Sequence, residues 1–175
     1  MNDERLQGVM VLRCIMGEAI TLQEGDDAPL FEAEDAEGNV WNLSDLISGG
    51  NRVVLYFYPK DSTPGCTTQA CDFRDNMAAL SSADVMVFGV SKDSAKSHGN
   101  FTRKQNLNFP LLMDIEGTLL EQYGVWREKK NYGRTYMGIS RSTFVIEADG
   151  TLSLAKYGVK AKGHVARILA HLELE

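Results

Sequence analysis

Apolar and polar positions alternate along this chain in a way that predicts a regular succession of strands and helices. Residues 31–43 read as a hairpin with Glu37-Gly38-Asn39 as its turn. Ser44 is the candidate N-cap of a short helical turn over residues 45–48, which Gly49-Gly50 ends. Residues 53–58 form a near-continuous apolar run, the pattern of a strand buried on both faces of a parallel sheet. Ala70, Phe73, Met77 and Leu80 recur at helical spacing, so residues 66–80 are predicted to be one helix. A second buried strand follows at 85–90, then a helix at 94–105 with Ser91 or Asp93 as its candidate cap. A short strand is expected at 109–113 and a short helix at 118–123, ending at Gly124. Residues 142–148 and 151–156 flank Asp149-Gly150 as a second hairpin, and 163–174 form the closing helix. The succession predicts an α/β fold with a mixed sheet. No internal repeat, low-complexity tract or second-domain linker interrupts it.

A chain of 175 residues is most simply one domain and can bury a substantial core. Its 43% hydrophobic and 24% charged residues are ordinary for a soluble globular protein. The net charge of −6 argues against nucleic acid as a partner. The densest positive stretch, Lys129-Lys130 with Arg127 and Arg134, reads as a solvated loop. No apolar run approaches the ~20 residues of a membrane span, so no membrane association is expected. Asp3, Glu4 and Arg13 argue against a secretory signal. Three cysteines are too few for a secreted disulfide scaffold of this length. The expected setting is therefore cytoplasmic, with catalytic rather than structural sulfur.

Cys66 is the focus of the candidate chemistry. The apolar run ends at Tyr58-Pro59, a turn follows through Lys60-Asp61-Ser62-Thr63-Pro64-Gly65, and Cys66 then stands at the mouth of the predicted helix. Backbone N–H groups at a helix start lack intrahelical partners, and the dipole there is positive. A thiolate is stabilised in such a place and its reactive fraction rises. A turn is also where chain is usually exposed. Cys71 follows in the same helix. Five residues of ideal helix advance ~7.5 Å and rotate ~140°, which puts the two Cα atoms roughly 8.6 Å apart. A disulfide wants Cα atoms within about 7 Å and side chains pointing together. The two sulfurs therefore cannot bond while the helix is intact.

Pro59, Thr63 and Cys66 fit a Pro-x-x-x-Thr-x-x-Cys pattern, with Pro64-Gly65 before the cysteine and Thr67-Thr68 after it. This segment resembles the active-site loop of the peroxiredoxins. With Cys71 at its spacing, it is similar to the bacterioferritin comigratory protein, or peroxiredoxin Q, subfamily. Gly25-Asp26-Asp27-Ala28-Pro29, Leu43-Ser44-Asp45-Leu46, Tyr56-Phe57-Tyr58-Pro59 and Arg141-Ser142-Thr143-Phe144 extend the likeness in order, from residue 17 to the C-terminus. The resemblance implies a thioredoxin-like fold with flanking helices and an added N-terminal hairpin. It places the domain at 17–175 and leaves 1–16, with Cys14, as an N-terminal extension; Met16 is a candidate natural start.

The resemblance also implies roles. Cys66 is the peroxidatic nucleophile, attacking hydrogen peroxide or a small organic hydroperoxide to give a sulfenic acid. Cys71 is the resolving cysteine, and a thioredoxin-type dithiol reduces the resulting disulfide. Arg141 stabilises the thiolate and the leaving oxygen, Thr63 hydrogen-bonds the sulfur or the peroxide, and Pro59 shapes the loop. No metal, haem or flavin cofactor is implied. The subfamily usually carries glutamate where this chain has Gln69, which can hold an arginine without the charge. Resolution within one chain makes a monomer the expected state, with a weak homodimer as the alternative. Rival readings are a thioredoxin-like disulfide oxidoreductase, which wants a Cys-x-x-Cys pair absent here, and a non-enzymatic thiol redox sensor. A zinc site would need about four ligands, and Cys66 and Cys71 supply two. His98, His164 and His171 are scattered without ligand spacing. Trp126 is expected in a loop, as a core or groove aromatic near the active-site mouth.

Overall fold

The computed structural model describes residues 20–174; Cys14 and the 1–16 extension lie outside the described residues. Two strands, β1 (Glu32–Asp35) and β2 (Val40–Asn42), form the opening hairpin. Then follow α1 (Leu43–Ser48), β3 (Arg52–Phe57), α2 (Pro64–Asp75), α3 (Met77–Ser82), β4 (Val85–Ser91) and α4 (Ala95–Gln105). The chain continues through β5 (Leu111–Met113), α5 (Thr118–Gln122), β6 (Trp126–Asn131), β7 (Arg134–Ile139), β8 (Ser142–Ile146), β9 (Leu152–Lys156) and α6 (His164–His171). Seven strands make one sheet in the order β2-β1-β5-β4-β3-β8-β9. β3, β4 and β5 are parallel at its centre, and antiparallel hairpins flank them on both sides.

The central strands are apolar along most of their length because both sheet faces are covered. Val53, Leu55 and Phe57 of β3 face one core with Phe88, Phe144, Leu43, Leu119 and Leu120. Val54, Tyr56 and Tyr58 face the other, where α2, α4 and α6 pack through Ala70, Phe73, Phe101, Val165 and Ile168. Alternate residues of one strand thus anchor helices on opposite sides. Phe73 stacks on Tyr56, with ring centroids 4.7 Å apart. That contact fixes α2 against the sheet.

Several local expectations are corrected. The predicted helix at 66–80 is two helices, because Asn76 (φ −110°, ψ 5°) leaves helical geometry and its side chain bonds back to the Asp72 carbonyl at 2.8 Å. The first helix is capped by Asn42 rather than Ser44, since it begins earlier, at the buried Leu43; Asn42 Oδ1 accepts from Asp45 N–H at 3.3 Å. Ser94, not Ser91 or Asp93, caps α4.

The largest miss is β6–β7. Lys129-Lys130, read as solvated loop, lie in a two-stranded ribbon closed by Tyr132-Gly133. Both turn residues have positive φ, 51° and 75°, the conformation of a type I′ hairpin turn. Beyond Trp126, β6 carries only charged and polar residues, so it shows no apolar period. Trp126 accordingly starts a strand rather than sitting in a loop, with Lys92 Nζ 4.6 Å from its ring centre.

Candidate active site

Tyr58 N–H donates to the Val90 carbonyl, and the chain then leaves the sheet at Pro59. Thr63 is extended (φ −81°, ψ 155°) and precedes Pro64, the first residue of α2. Proline suits that position because its fixed φ is helical and no N–H is lost. Cys66 is then the third residue of the helix. The Thr63 hydroxyl makes no cap to the helix and donates instead to the Lys60 carbonyl at 3.0 Å. Thr63 thus braces the loop in this conformation and offers Cys66 no proton. Pro59 is half-buried at the exit of β3.

Cys66 is only 1% exposed, which corrects the expectation of an open thiol at a turn. Its packing among Tyr56, Tyr58 and Ala70 makes it part of the core as well as the candidate site. Arg141, just before β8, reaches it from the far side of the sequence. Its Nη2 lies 3.3 Å from Cys66 Sγ, and its Nη1 donates to Gln69 Oε1 at 2.6 Å. One guanidinium therefore spans two positions three apart on the same helix face. Gly65 makes room for it: a Cβ there would meet Arg141 Nη2 at 3.1 Å. Gln69 fills the acceptor role despite its missing charge. Among the described residues its Nε2, fully buried, has no hydrogen-bond partner, and neither does the buried Tyr56 hydroxyl. Burial, and then the proximity of Cys66, push the Tyr56 phenol well above its ordinary value, so it stays protonated.

Cys71 is half-buried and does not meet Cys66. Both are free thiols on one unbroken helix, and Cys71 Sγ donates to Gln105 Oε1 at 3.5 Å.

A buried polar cluster beneath the loop escaped the sequence reading. Asp61 Oδ1 accepts from the Tyr58 hydroxyl at 2.6 Å, and Oδ2 meets Ser97 Oγ at 2.8 Å and His98 Nδ1 at 2.7 Å. The other His98 nitrogen reaches the Leu112 carbonyl at 3.1 Å. Asp93 accepts from the Asp61 amide at 2.8 Å and from Ser91 at 2.7 Å. Burial opposes the Asp61 charge, but hydrogen bonds from His98 and Tyr58 outweigh it and hold the carboxyl below its ordinary range. The carboxylate and imidazole atoms of Asp61, Asp93 and His98 lie within 4.8 Å of one another, a possible cation arrangement. Here the Asp61 and Asp93 oxygens accept from protein donors, and the two His98 nitrogens face the Asp61 carboxylate and the Leu112 carbonyl. Sequence spacing could not reveal the cluster, since His98 is 37 residues from Asp61.

The sequence profile of the AhpC/TSA family matches residues 24–155. The chain belongs to this family, the peroxiredoxins. This peroxiredoxin is 48% identical to Peroxiredoxin Bcp of Bacillus subtilis over 154 residues, 88% of this chain and 97% of the relative. It is 46% identical to Peroxiredoxin Bcp of Escherichia coli over 143 residues, 82% and 90% of the two chains. Among solved structures, a mutant of Xylella fastidiosa PrxQ superposes with a TM-score of 0.82 at 34% identity, covering 88% of this chain and 97% of that one. The Xanthomonas campestris bacterioferritin comigratory protein superposes with a TM-score of 0.78 at 38% identity, covering 89% and 98%. The thioredoxin-like fold and the peroxiredoxin Q resemblance are both borne out. The peroxiredoxin is a thiol-dependent peroxidase, an oxidoreductase taking a peroxide as substrate and a thiol as reductant. No helix among the described residues is long and apolar enough to cross a membrane.

His164, at the start of α6, lies beneath this peroxiredoxin's Arg141 strand, with Nε2 2.7 Å from the Thr143 hydroxyl. Burial first, then the charges of Arg167 and Arg141, lower its pKa from 6.5 to about 4. Between those values the unfolded chain binds a proton that the folded chain refuses, so stability falls as pH drops through that window. By pH 4.5 this costs about 2 kcal/mol. His164→Gln should remove that loss, so its urea midpoint changes less between pH 7 and pH 4.5 than the wild type's. Equal acid sensitivity in the two proteins would exclude His164 as the source.

Proposed function

We propose that Cys66 is the peroxidatic nucleophile and Cys71 the resolving thiol, recycled by a thioredoxin-type dithiol. The observation that supports this best is the Arg141 guanidinium at 3.3 Å from a cysteine in the first turn of a helix. The Cys66 thiolate attacks one oxygen of the peroxide. The S–O bond forms, the O–O bond breaks, and the departing oxygen takes a proton to leave as water or an alcohol. Arg141 supports the thiolate before attack and the charge on the departing oxygen during it. Gln69 holds the guanidinium in place, and Pro59 and Thr63 keep the loop in shape.

The Cys66 sulfenic acid then condenses with Cys71, expelling water, and the dithiol reduces the disulfide by exchange. Because α2 is intact with both thiols free, its first turns must unwind for the two sulfurs to meet. Hydrogen peroxide and small organic hydroperoxides are the proposed substrates. The Xanthomonas campestris relative, described for alkyl peroxide reduction, supports the second class. The proposed working form is a cytoplasmic monomer without metal, haem or flavin, since both sulfurs come from one chain.

Peroxide consumption coupled to thioredoxin, thioredoxin reductase and NADPH tests the cycle. Cys71→Ser is expected to lose at least roughly 90% of thioredoxin-linked turnover, because no disulfide is presented for exchange. It should still form one sulfenic acid per chain, read by dimedone labelling and intact mass. Full turnover in Cys71→Ser would eliminate it as the resolving residue.

A further inference from the structure

The far half of α2 is tied down by a contact set of its own. Cys71 Sγ donates to Gln105 Oε1 at 3.5 Å, and Arg74 Nη1 donates to the Gln105 carbonyl at 2.5 Å. Asn108 Nδ2 returns a bond to the Arg74 carbonyl at 3.3 Å. Gln105 is the last residue of α4, and Asn106 behind it takes the left-handed conformation (φ 52°) that ends that helix. Its side chain and its carbonyl thus face the same neighbour. The Asp75 carboxylate, 2.9 Å from Arg74 Nε, and the neighbouring Cys71 sulfur hold the Arg74 guanidinium firmly protonated. The Arg141 contacts hold the near half of α2 through Cys66 and Gln69. The Gln105 contacts hold the half that carries Cys71.

We propose that Gln105 is a positioning residue for Cys71, forming with Arg74 a polar latch that sets how long the Cys66 sulfenic acid survives. This rests on the reading of Cys71 as the resolving thiol. Resolution joins the two sulfurs and releases water, and it requires Cys71 to leave Gln105. Overoxidation competes: a second hydroperoxide gives its distal oxygen to the sulfenic acid, yielding a sulfinic acid and an alcohol or water. Each moment the latch stays closed favours the second route. An S–H···O bond is weak, so loss of the Gln105 amide should change the resolution rate by about threefold.

The two informative variants act in opposite directions. Gln105→Ala removes the acceptor and should resolve faster. Gln105→Glu presents a carboxylate to the Cys71 S–H, beside the Arg74 that holds the residue's own carbonyl, tightens the latch and should resolve more slowly. Gln105 touches neither Cys66 nor Arg141, so the peroxide reaction itself should be unchanged in both.

The test is rapid-quench kinetics in a Cys14→Ser background after one equivalent of hydrogen peroxide. Dimedone traps the sulfenic acid, intact mass counts the disulfide, and sulfinic acid is measured at excess peroxide. Shorter sulfenic lifetime with less sulfinic acid in Gln105→Ala, and the reverse in Gln105→Glu, is the expected result. If both variants match the wild type, or move in the same direction, the latch is overturned. Cys71→Ser in the same background separates the two levels. If its sulfenic acid persists, the resolving assignment stands and only the latch is judged; if its sulfenic acid disappears at the wild-type rate, both fall together.

Discussion

Cys66→Ser should lower peroxide consumption by roughly 10⁴-fold or more, to the level of uncatalysed turnover, as loss of a covalent nucleophile does in other enzymes. A serine hydroxyl in the same place is almost wholly protonated near neutrality and is a poor nucleophile toward an O–O bond. The substitution is nearly isosteric, which matters because Cys66 is 1% exposed and packed in the core. The hydroxyl can still accept from Arg141 Nη2, so the guanidinium keeps its place. Thermal unfolding should therefore shift little while activity vanishes. Residual turnover above a tenth of wild type, in protein free of contaminating peroxidase, would show that another group attacks the peroxide.

Arg141→Met should give the second largest loss, about 10²–10³-fold in the second-order rate with peroxide, the cost of one donor aimed at developing charge. It should also destabilise the fold. Gln69 Oε1 is fully buried and its bond to Arg141 Nη1 is the one it makes among the described residues. An orphaned buried acceptor costs about 1–3 kcal/mol. Arg141→Lys keeps a charge but has no fork to span Cys66 and Gln69 together, so its activity should fall between those of the wild type and the methionine variant. Stopped-flow oxidation and urea titration measure the two effects separately. A methionine variant that reacts with peroxide within threefold of wild type would remove Arg141 from the mechanism, whatever its stability.

How well the sequence foretold these features depended on how local their signals were. Residues 53–58 read as a doubly buried strand because Val54 and Tyr56 face one core while Val53, Leu55 and Phe57 face the other. Cys66 at a helix mouth followed from Pro59 and Pro64-Gly65. Arg141 could be named from its resemblance, but its partnership with Gln69 is a three-dimensional fact, 72 residues apart in the chain. The β6–β7 ribbon went unread because β6 is charged or polar after Trp126, while Tyr136 and Met137 of β7 are adjacent and exposed, so no clear two-residue period marks a buried face. The Asp61–His98 pair was invisible for a related reason, since a solitary histidine and a loop aspartate carry no period. Burial of Cys66 was misjudged because a turn usually lies at the surface, whereas this thiol packs among Tyr56, Tyr58 and Ala70 and meets Arg141 from just before β8.

In the proposed cycle, the cluster around Asp61 would give the melting of α2 a fixed boundary. Its amide is held by Asp93, its carboxylate by Tyr58, Ser97 and His98, and His98 in turn by Leu112. These bonds lie in the interior, where breaking them leaves polar groups stranded. Unwinding that begins at Pro64 therefore meets resistance before it can run back into β3. Running forward, it meets Phe73 stacked on Tyr56. The unwound stretch would be pinned at both ends, and the entropy gained by releasing so short a loop is small. On the proposed cycle, turnover would be a defect confined to the start of α2, and the enzyme would return to its starting shape by rewinding a helix rather than by refolding.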